Sequence, residues 1–196
     1  FDDIDLQDGH SISVTSAAGN TLGGSLVATI TDPATGTGDG TISWTYSVAN
    51  SATQYLAKDQ TTTETFTVTI SDGQGGTVDQ LITVTITGTN DAPTITAGLT
   101  DAIGAVTEDA TTPNLSDSGS ITFNDIDLID THLTSVTPLA GNTLGGILTL
   151  GTVSEAASTE PGTVGWTYSV ANSATQYLAE GQTVTETFTV TISDGQ

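Results

Sequence analysis

The segment Thr63-Glu-Thr-Phe-Thr-Val-Thr-Ile70 places a threonine at every second position and a larger side chain, mostly apolar, between them. A period of two is typical of a β-strand with one buried and one solvated face. The same pattern returns in Leu81-Ile-Thr-Val-Thr-Ile86, and the glycine-rich Ser71-Asp-Gly-Gln-Gly-Gly76 between the two segments indicates a hairpin turn. Helical periodicity nowhere extends over three turns, and Ala49–Ala57 allows one helical turn at most. The sequence therefore predicts an all-β protein.

The chain repeats itself with a period of 122 residues. A shift of 122 positions aligns Phe1 with Phe123 without a gap, and 50 of the 74 overlapping positions (196 minus 122) are identical. A boundary is predicted at Gly88-Thr-Asn-Asp-Ala-Pro93, where a strand pattern ends and proline interrupts the chain. We therefore predict tandem domains: residues 1–91, a partial first repeat, and residues 92–196, a second repeat without its last strand. The sequence is expected to be a slice of a longer array; the alternative is that neighbouring chains supply the missing strands.

A full repeat is predicted to contain seven antiparallel strands, the number found in an immunoglobulin-like β-sandwich. The predicted strands are Thr94–Ala97 with Ala105–Thr107, Ser120–Phe123, Leu133–Pro138, Leu144–Leu150, Val164–Val170, Val184–Ser193, and a last strand represented by Thr77–Thr87 of the first repeat. The predicted fold class is thus all-β, with tandem immunoglobulin-like (cadherin-like) antiparallel β-sandwich repeats.

Each repeat also carries a short loop with three carboxylates and no Lys or Arg beside them. The carboxylates are Asp3, Asp5 and Asp8 in the first repeat, and Asp125, Asp127 and Asp130 in the second. At a separation of ~5 Å and an effective dielectric of ~20, each like-charge pair costs about 3 kcal/mol, which favours a bound cation. In a seven-stranded sandwich this loop, the turn at Asp194 and the linker at Asn90 and Asp91 share one end of the domain. The alternative is a set of solvated turn residues, because Asp and Asn favour turns without any metal.

Calcium is the cation that this composition favours. Calcium takes six to eight oxygen ligands, whereas zinc prefers Cys and His, and the chain has no cysteine and only His10 and His132. An EF-hand is excluded because the residues eleven positions after Asp3 and Asp125 are Val14 and Val136 instead of glutamate. The segment Gly73–Asp79 likewise lacks the G-G-x-G-x-D order of the calcium-binding nonapeptide repeats.

The chain resembles VCBS repeats, the cadherin-like modules of large bacterial surface and biofilm adhesins. The residues that carry the resemblance are Gly88–Pro93, Val106-Thr-Glu-Asp109, Gly119–Asp127, Thr65–Thr77, and Tyr55–Gln60 with its copy Tyr177–Gln182. The resemblance implies calcium bound between domains by Asn90 and Asp91 of the linker, the pair Asp125 and Asp127, and the turn acid Asp194. In the first repeat the matching positions are Asp3, Asp5 and Asp72. Glu108 and Asp130 are included as additional ligands.

Charge and composition exclude several other classes of function. The formal net charge is −22 with Lys58 as the only basic residue, which argues against binding to nucleic acid or an anionic membrane surface. No apolar run approaches the ~20 residues that a membrane-spanning helix needs, so direct membrane insertion is not expected. The acidic pairs lack the partners of a catalytic site, and no enzymatic activity is predicted. Asp32, Asp39, Glu155 and Glu160 lie where the copies diverge most, and no function is assigned to them.

The aromatic and histidine residues are interpreted as structural. Trp44 and Trp166, with Tyr46 and Tyr168, are expected in the sandwich core rather than on a sugar-stacking platform. His10 and His132 are expected to pack within the loops rather than to bind a metal.

The resemblance implies a calcium-stiffened extender of a secreted bacterial adhesin, located outside the cell or on its surface. Its partners would be the neighbouring repeats of the same chain. Two alternatives remain open: a sandwich that binds glycan or protein, and a subunit that assembles with copies of itself into an extracellular filament or sheath.

Overall fold

A computed structural model describes residues 1–36, 38–156 and 159–196, and in these ranges the chain forms strands and short 3-10 turns without an α-helix. The predicted all-β class is confirmed. The chain divides into two units, Phe1–Thr89 and Asn90–Gln196, so that Asn90 and Asp91 belong to the second. The strands of the first unit are β1 (Ser11–Ser16), β2 (Ser25–Pro33), β3 (Gly40–Ser47), β4 (Thr61–Ser71) and β5 (Thr77–Thr87). Those of the second are β6 (Thr94–Ile95), β7 (Asn114–Asn124), β8 (Leu133–Pro138), β9 (Ile147–Ala156), β10 (Thr159–Ala171) and β11 (Phe188–Ser193).

The first unit contains an antiparallel sheet of order β1-β4-β5 and the hairpin β2-β3. Pairing of β4 with β5 runs without interruption from Thr61 opposite Thr87 to Ser71 opposite Thr77, as the alternating pattern predicts. The predicted turn closes this hairpin: Gln74 N and Gly76 N donate to Asp72 Oδ1 at 2.7 and 2.9 Å. The predicted helical turn is the 3-10 turn Asn50–Ala52.

The second unit contains a sheet of order β6-β7-β10-β9 and the strand pair β11-β8. Strand β7 pairs antiparallel with β10 from Phe123 opposite Gly162 to Asn114 opposite Ala171. The core is formed by Ile121, Val164 and Trp166 of the larger sheet, against which Val190 and Ile192 of β11 pack. Because the apolar faces of both sheets meet in this cluster, the unit is consistent with a β-sandwich.

Two predicted strands of the second unit differ from the structure, each for its own reason. Residues 105–107 are not a strand, and Ala105 N donates instead to Asp117 Oδ2 at 2.7 Å. The strand predicted at 184–193 begins only at Phe188, whereas its copy β4 begins at Thr61. The first residues of β4 pair with the end of β5, and among the described residues of the second unit no strand provides that partner.

The strand predicted at Leu144–Leu150 is displaced along the chain for a similar reason. Leu144 N and Gly146 N donate to the carboxylate of Glu186 at 2.7 and 3.0 Å, and β9 begins only at Ile147.

The two tryptophans differ in burial although they lie in identical segments. Trp166 is 6% exposed and Trp44 is 47% exposed, so the expected core position is confirmed for Trp166 and wrong for Trp44. The indole N–H of Trp166 donates to Asp101 O at 2.6 Å, and a Cβ at Gly119 would lie 2.6 Å from the ring. The described residues of the first unit include no strand like β7 beside β3, so the indole of Trp44 is left uncovered.

A glutamate side chain fastens a loop to the strands of each unit, and the glutamate of the first unit is fully buried. Glu64 in β4 has an exposed fraction of 0% and accepts hydrogen bonds from Leu22 N at 2.9 Å and from the Tyr46 hydroxyl at 2.8 Å. Gly24 leaves the space for this contact, since a Cβ there would lie 2.1 Å from Glu64 Oε2. In the second unit the Tyr168 hydroxyl donates to Glu186 at 2.8 Å in the same way.

Because of Tyr46 and Tyr168, we predict that the protein loses stability at alkaline pH. Burial and the hydrogen bond to Glu64 raise the pKa of Tyr46 from 10.0 to about 12, and the same two causes raise the pKa of Tyr168. A folded-state pKa above the unfolded value means that the contribution is complete below pH ~10 and is lost as the pH rises through about 12. We expect the free energy of unfolding to fall across this window, and less steeply in a Tyr46→Phe/Tyr168→Phe chain. Denaturant titrations at several pH values measure this, and equal slopes for the two chains would contradict it.

Candidate metal centre

The acidic loop of the second unit joins β7, which ends at Asn124, to β8, which begins at Leu133. Two local hydrogen bonds fold it: Asp127 N donates to Asp125 Oδ1 at 2.9 Å, and Asp130 N donates to Asp127 O at 3.0 Å. Asp125 is 7% exposed and Asp127 is 1% exposed, so these two acidic residues are buried in the unit. The loop thus gathers carboxylates where solvent screens them poorly.

A carboxylate from the other sheet joins this loop. Asp194 follows β11, and carboxylate oxygens of Asp125, Asp130 and Asp194 all lie within 4.8 Å of one another. Oxygens that share one calcium ion at 2.3–2.6 Å are at most ~5 Å apart. The three side chains therefore have the spacing to hold a metal ion.

The first two residues of the unit are tied to the same cluster. Asn90 Nδ2 donates to Asp194 Oδ2 at 3.0 Å, and Asp91 N donates to Asp127 Oδ2 at 2.7 Å. The structure therefore brings together six of the residues selected from the sequence, which are Asn90, Asp91, Asp125, Asp127, Asp130 and Asp194.

Within the described part of the chain, three buried oxygens at this loop find no hydrogen-bond partner: Asn124 Oδ1, Asp127 Oδ1 and Asp130 Oδ2. Burial raises the pKa of Asp127, and the carboxylates of Asp125, Asp91 and Asp194 raise it further, against the lowering effect of the Asp91 N–H. Burial and the same kind of repulsion also raise the pKa of Asp130. A buried acceptor without a donor costs ~1–3 kcal/mol, and a cation among these oxygens would relieve both that cost and the repulsion.

Asn124 was not selected from the sequence. The sequence does contain a signal for this ligand. Asn124 directly precedes Asp125, and the matching residue of the first copy, Asp2, also carries a side-chain oxygen.

His132 lies behind the acidic cluster and contacts two carboxylates. Its Nε2 is 3.0 Å from Asp125 Oδ2, its Nδ1 is 2.5 Å from Glu155 Oε2, and its backbone N donates to Glu155 Oε1 at 3.0 Å. Burial by itself lowers the pKa of His132, but hydrogen bonds to Asp125 and Glu155 outweigh this effect, so the pKa lies above its usual value. Glu155, which has no role in the sequence-based prediction, is thus a direct partner of this histidine.

Glu108 is not part of the cluster. It is exposed and accepts a hydrogen bond from Gln176 Nε2 at 2.7 Å. Gln176 also donates to Asn172 Oδ1 at 3.1 Å, and Asn172 N donates to Pro113 O beside the start of β7. The acidic loop follows the other end of this strand, roughly 30 Å away for eleven extended residues.

The first unit arranges its matching residues more openly. His10 Nε2 lies 2.9 Å from Asp3 Oδ2, and Asp5 N donates to Asp3 Oδ1 at 2.8 Å, but the Asp5 side chain is exposed. Asp3 and Asp72 line one cavity of about 180 Å³ together with Phe1 and His10. The backbone N of Asp8 donates to Asp5 O at 2.9 Å. Hydrogen bonds from Asp5 N and then from His10 lower the pKa of Asp3.

No family model and no curated protein matches this chain. Within the described residues, no helix has the length and apolar character to span a membrane. The observations therefore define only the class of protein. The chain is built of antiparallel β-sheets, and its second unit holds an oxygen-rich acidic cluster at one end.

Proposed function

We propose that this chain is a calcium-stabilised extender segment of a large secreted bacterial adhesin, built from immunoglobulin-like repeats that resemble VCBS modules. One observation carries the proposal. The carboxylates of Asp125, Asp130 and Asp194 converge within 4.8 Å beside Asp127, whose buried Oδ1 has no hydrogen-bond partner among the residues that the structure describes. Such an arrangement is costly for a protein unless a cation occupies it.

The order of the strands supports the immunoglobulin-like part of the proposal. In the second unit the strands follow the order β6-β7-β10-β9 in one sheet and β8-β11 in the other. In the first unit β5 pairs beside β4, which is the copy of β11. Adding a copy of β5 to the second unit gives a four-stranded sheet of first, second, fifth and fourth strands over a sheet of third, sixth and seventh. This is the order of a constant-type immunoglobulin sandwich.

The donors of the cluster fit calcium. The residues that would hold the ion are Asp125, Asp127, Asp130 and Asp194, with Asn124 contributing an otherwise unpartnered oxygen. Bound calcium would supply a divalent positive charge and accept six to eight oxygen ligands from this set, from loop carbonyls and from water. The converging side chains offer oxygens, and the ring of His132 is already hydrogen-bonded to Asp125. Zinc prefers sulfur and nitrogen, and magnesium requires a stricter octahedral geometry.

The proposed role of an extender rests on the contacts between the acidic cluster and the start of the second unit. Asn90 and Asp91 are the first residues of the second unit and are hydrogen-bonded to Asp194 and Asp127. A bound ion would therefore order the segment that continues directly from the preceding repeat. We further propose that the strongly acidic chain stays loose in the low calcium of the cytosol and folds after export.

Small-angle X-ray scattering of the full chain tests the proposed function. In millimolar calcium we expect a larger maximum dimension and a narrower distribution of sizes than in EDTA, because an ordered linker resists bending. An Asp125→Asn/Asp127→Asn chain is expected to give the EDTA profile under both conditions. An Asp59→Asn/Glu180→Gln chain, which loses the same charge from exposed positions, is the matched control. Identical wild-type profiles with and without calcium would refute the extender role.

A further inference from the structure

We infer that His132 and Glu155 form an outer pair that positions Asp125 for a divalent cation, so that the second unit holds the ion more tightly than the first. The inference rests on the proposed function, because it concerns the same site. It adds two positioning residues and ranks the two repeats by affinity.

Asp125 is held at both of its carboxylate oxygens. Oδ1 accepts a hydrogen bond from Asp127 N at 2.9 Å, and Oδ2 lies 3.0 Å from His132 Nε2. Each oxygen can accept a second interaction, so both retain a free lone pair for an ion. With both ends fixed, the carboxylate keeps one orientation, and little entropy is lost when the ion arrives.

Glu155 fixes the histidine in turn. Its Oε2 lies 2.5 Å from His132 Nδ1 and its Oε1 accepts from His132 N at 3.0 Å, so one carboxylate holds both the ring and the backbone of the same residue. The ring also packs against Phe123, with the centroids 4.7 Å apart at an interplanar angle of 61°. Strand β9 is thereby connected to the loop through a charge-assisted hydrogen bond, which is stronger than a neutral one.

An independent feature of the loop indicates a ligand. Asp127 is 1% exposed and its Oδ2 accepts from Asp91 N. Its Oδ1 is also buried, and no described residue provides it with a hydrogen-bond partner. Neither His132 nor Glu155 is needed to explain this unpartnered atom.

The first repeat provides a natural comparison. There the corresponding histidine, His10, contacts Asp3 at 2.9 Å, but its Nδ1 lies 3.0 Å from the carbonyl oxygen of Pro33. Pro33 aligns with Glu155 under the shift of 122 residues, so the two otherwise similar loops differ in the residue that contacts the histidine. The first repeat lacks the charged support and, on this inference, binds the ion more weakly.

Calcium and terbium titrations of the full chain test the inference. The chain carries Asp3→Asn/Asp5→Asn so that only the second loop is measured, and Glu155→Gln or His132→Gln is then added. Each added variant is expected to bind calcium ~10-fold more weakly, as for other outer-shell partners of metal sites. Terbium luminescence lifetimes in H₂O and D₂O are expected to show about one additional bound water, because a mobile carboxylate leaves a coordination position to solvent. A general loss of stability does not change this hydration number.

Glu180→Gln, which removes one exposed negative charge elsewhere, is the matched control and is expected to change neither affinity nor hydration. If Glu155→Gln and His132→Gln both bind like this control, the inference is wrong while the proposed calcium site stands. If the parent chain binds no calcium, the proposed function fails and the inference fails with it.

Discussion

Asp127→Asn is expected to change the stability of the second unit in opposite directions with and without calcium. In EDTA the variant should melt at a higher temperature than the wild type. Asp127 is 1% exposed, and the carboxylates of Asp125, Asp91 and Asp194 repel its charge. The amide removes that charge and keeps an oxygen that can accept from Asp91 N, which relieves on the order of 1–3 kcal/mol.

In calcium the order of the two proteins should reverse. An ion at 100 times its dissociation constant adds about 2.7 kcal/mol to the wild type. For a domain of about 100 residues this corresponds to a rise in melting temperature of roughly 10 °C or more. The variant loses a charged ligand and should retain only a small part of this gain.

Differential scanning calorimetry in calcium and in EDTA measures both effects. Asp59→Asn removes one charge from an exposed position and serves as the control, with small shifts of the same sign under both conditions. If Asp127→Asn lowers the melting temperature equally with and without calcium, Asp127 is a structural residue and not a ligand. A rise under both conditions would indicate relief of repulsion without ion binding.

The sequence predicted much of the cluster because strand topology places distant loops together. Asp125 follows β7 and Asp194 follows β11. Their carboxylate oxygens lie within 4.8 Å of each other, which agrees with the prediction that the two loops share one end of the unit. Period-two alternation likewise located β4 and β5, since half-buried strands impose that period on their side chains.

Other features depend on contacts that a linear pattern does not contain. Glu155 lies in the segment where the repeats diverge, and only the fold shows that it reaches His132. The family resemblance predicts Glu108 as an additional ligand, yet the chain between β6 and β7 places it beside Gln176. Residues 184–187 have the alternation of a strand, but no described strand of the second unit pairs with them as β5 pairs with the start of β4. In each case a tertiary partner decides the outcome.

Trp166→Ala and Trp44→Ala are expected to differ widely in their cost, although both residues begin the same sequence of fourteen residues. Trp166 contacts Gly119 and donates to Asp101 O, and its truncation leaves a cavity in the core of the second unit. Such changes cost ~3–5 kcal/mol. Trp44 has about half of its surface in solvent, and the corresponding cost to the first unit should be about 1 kcal/mol.

Hydrogen exchange followed by mass spectrometry separates the two units, because peptides from β5 report on the first and peptides from β7 report on the second. Trp166→Ala should accelerate exchange in β7 by about two orders of magnitude or more, since every 1.4 kcal/mol corresponds to a factor of ten. Trp44→Ala should accelerate exchange in β5 by about tenfold or less. Equal acceleration would mean that Trp44 is packed as deeply as Trp166, which would contradict the difference in their exposure.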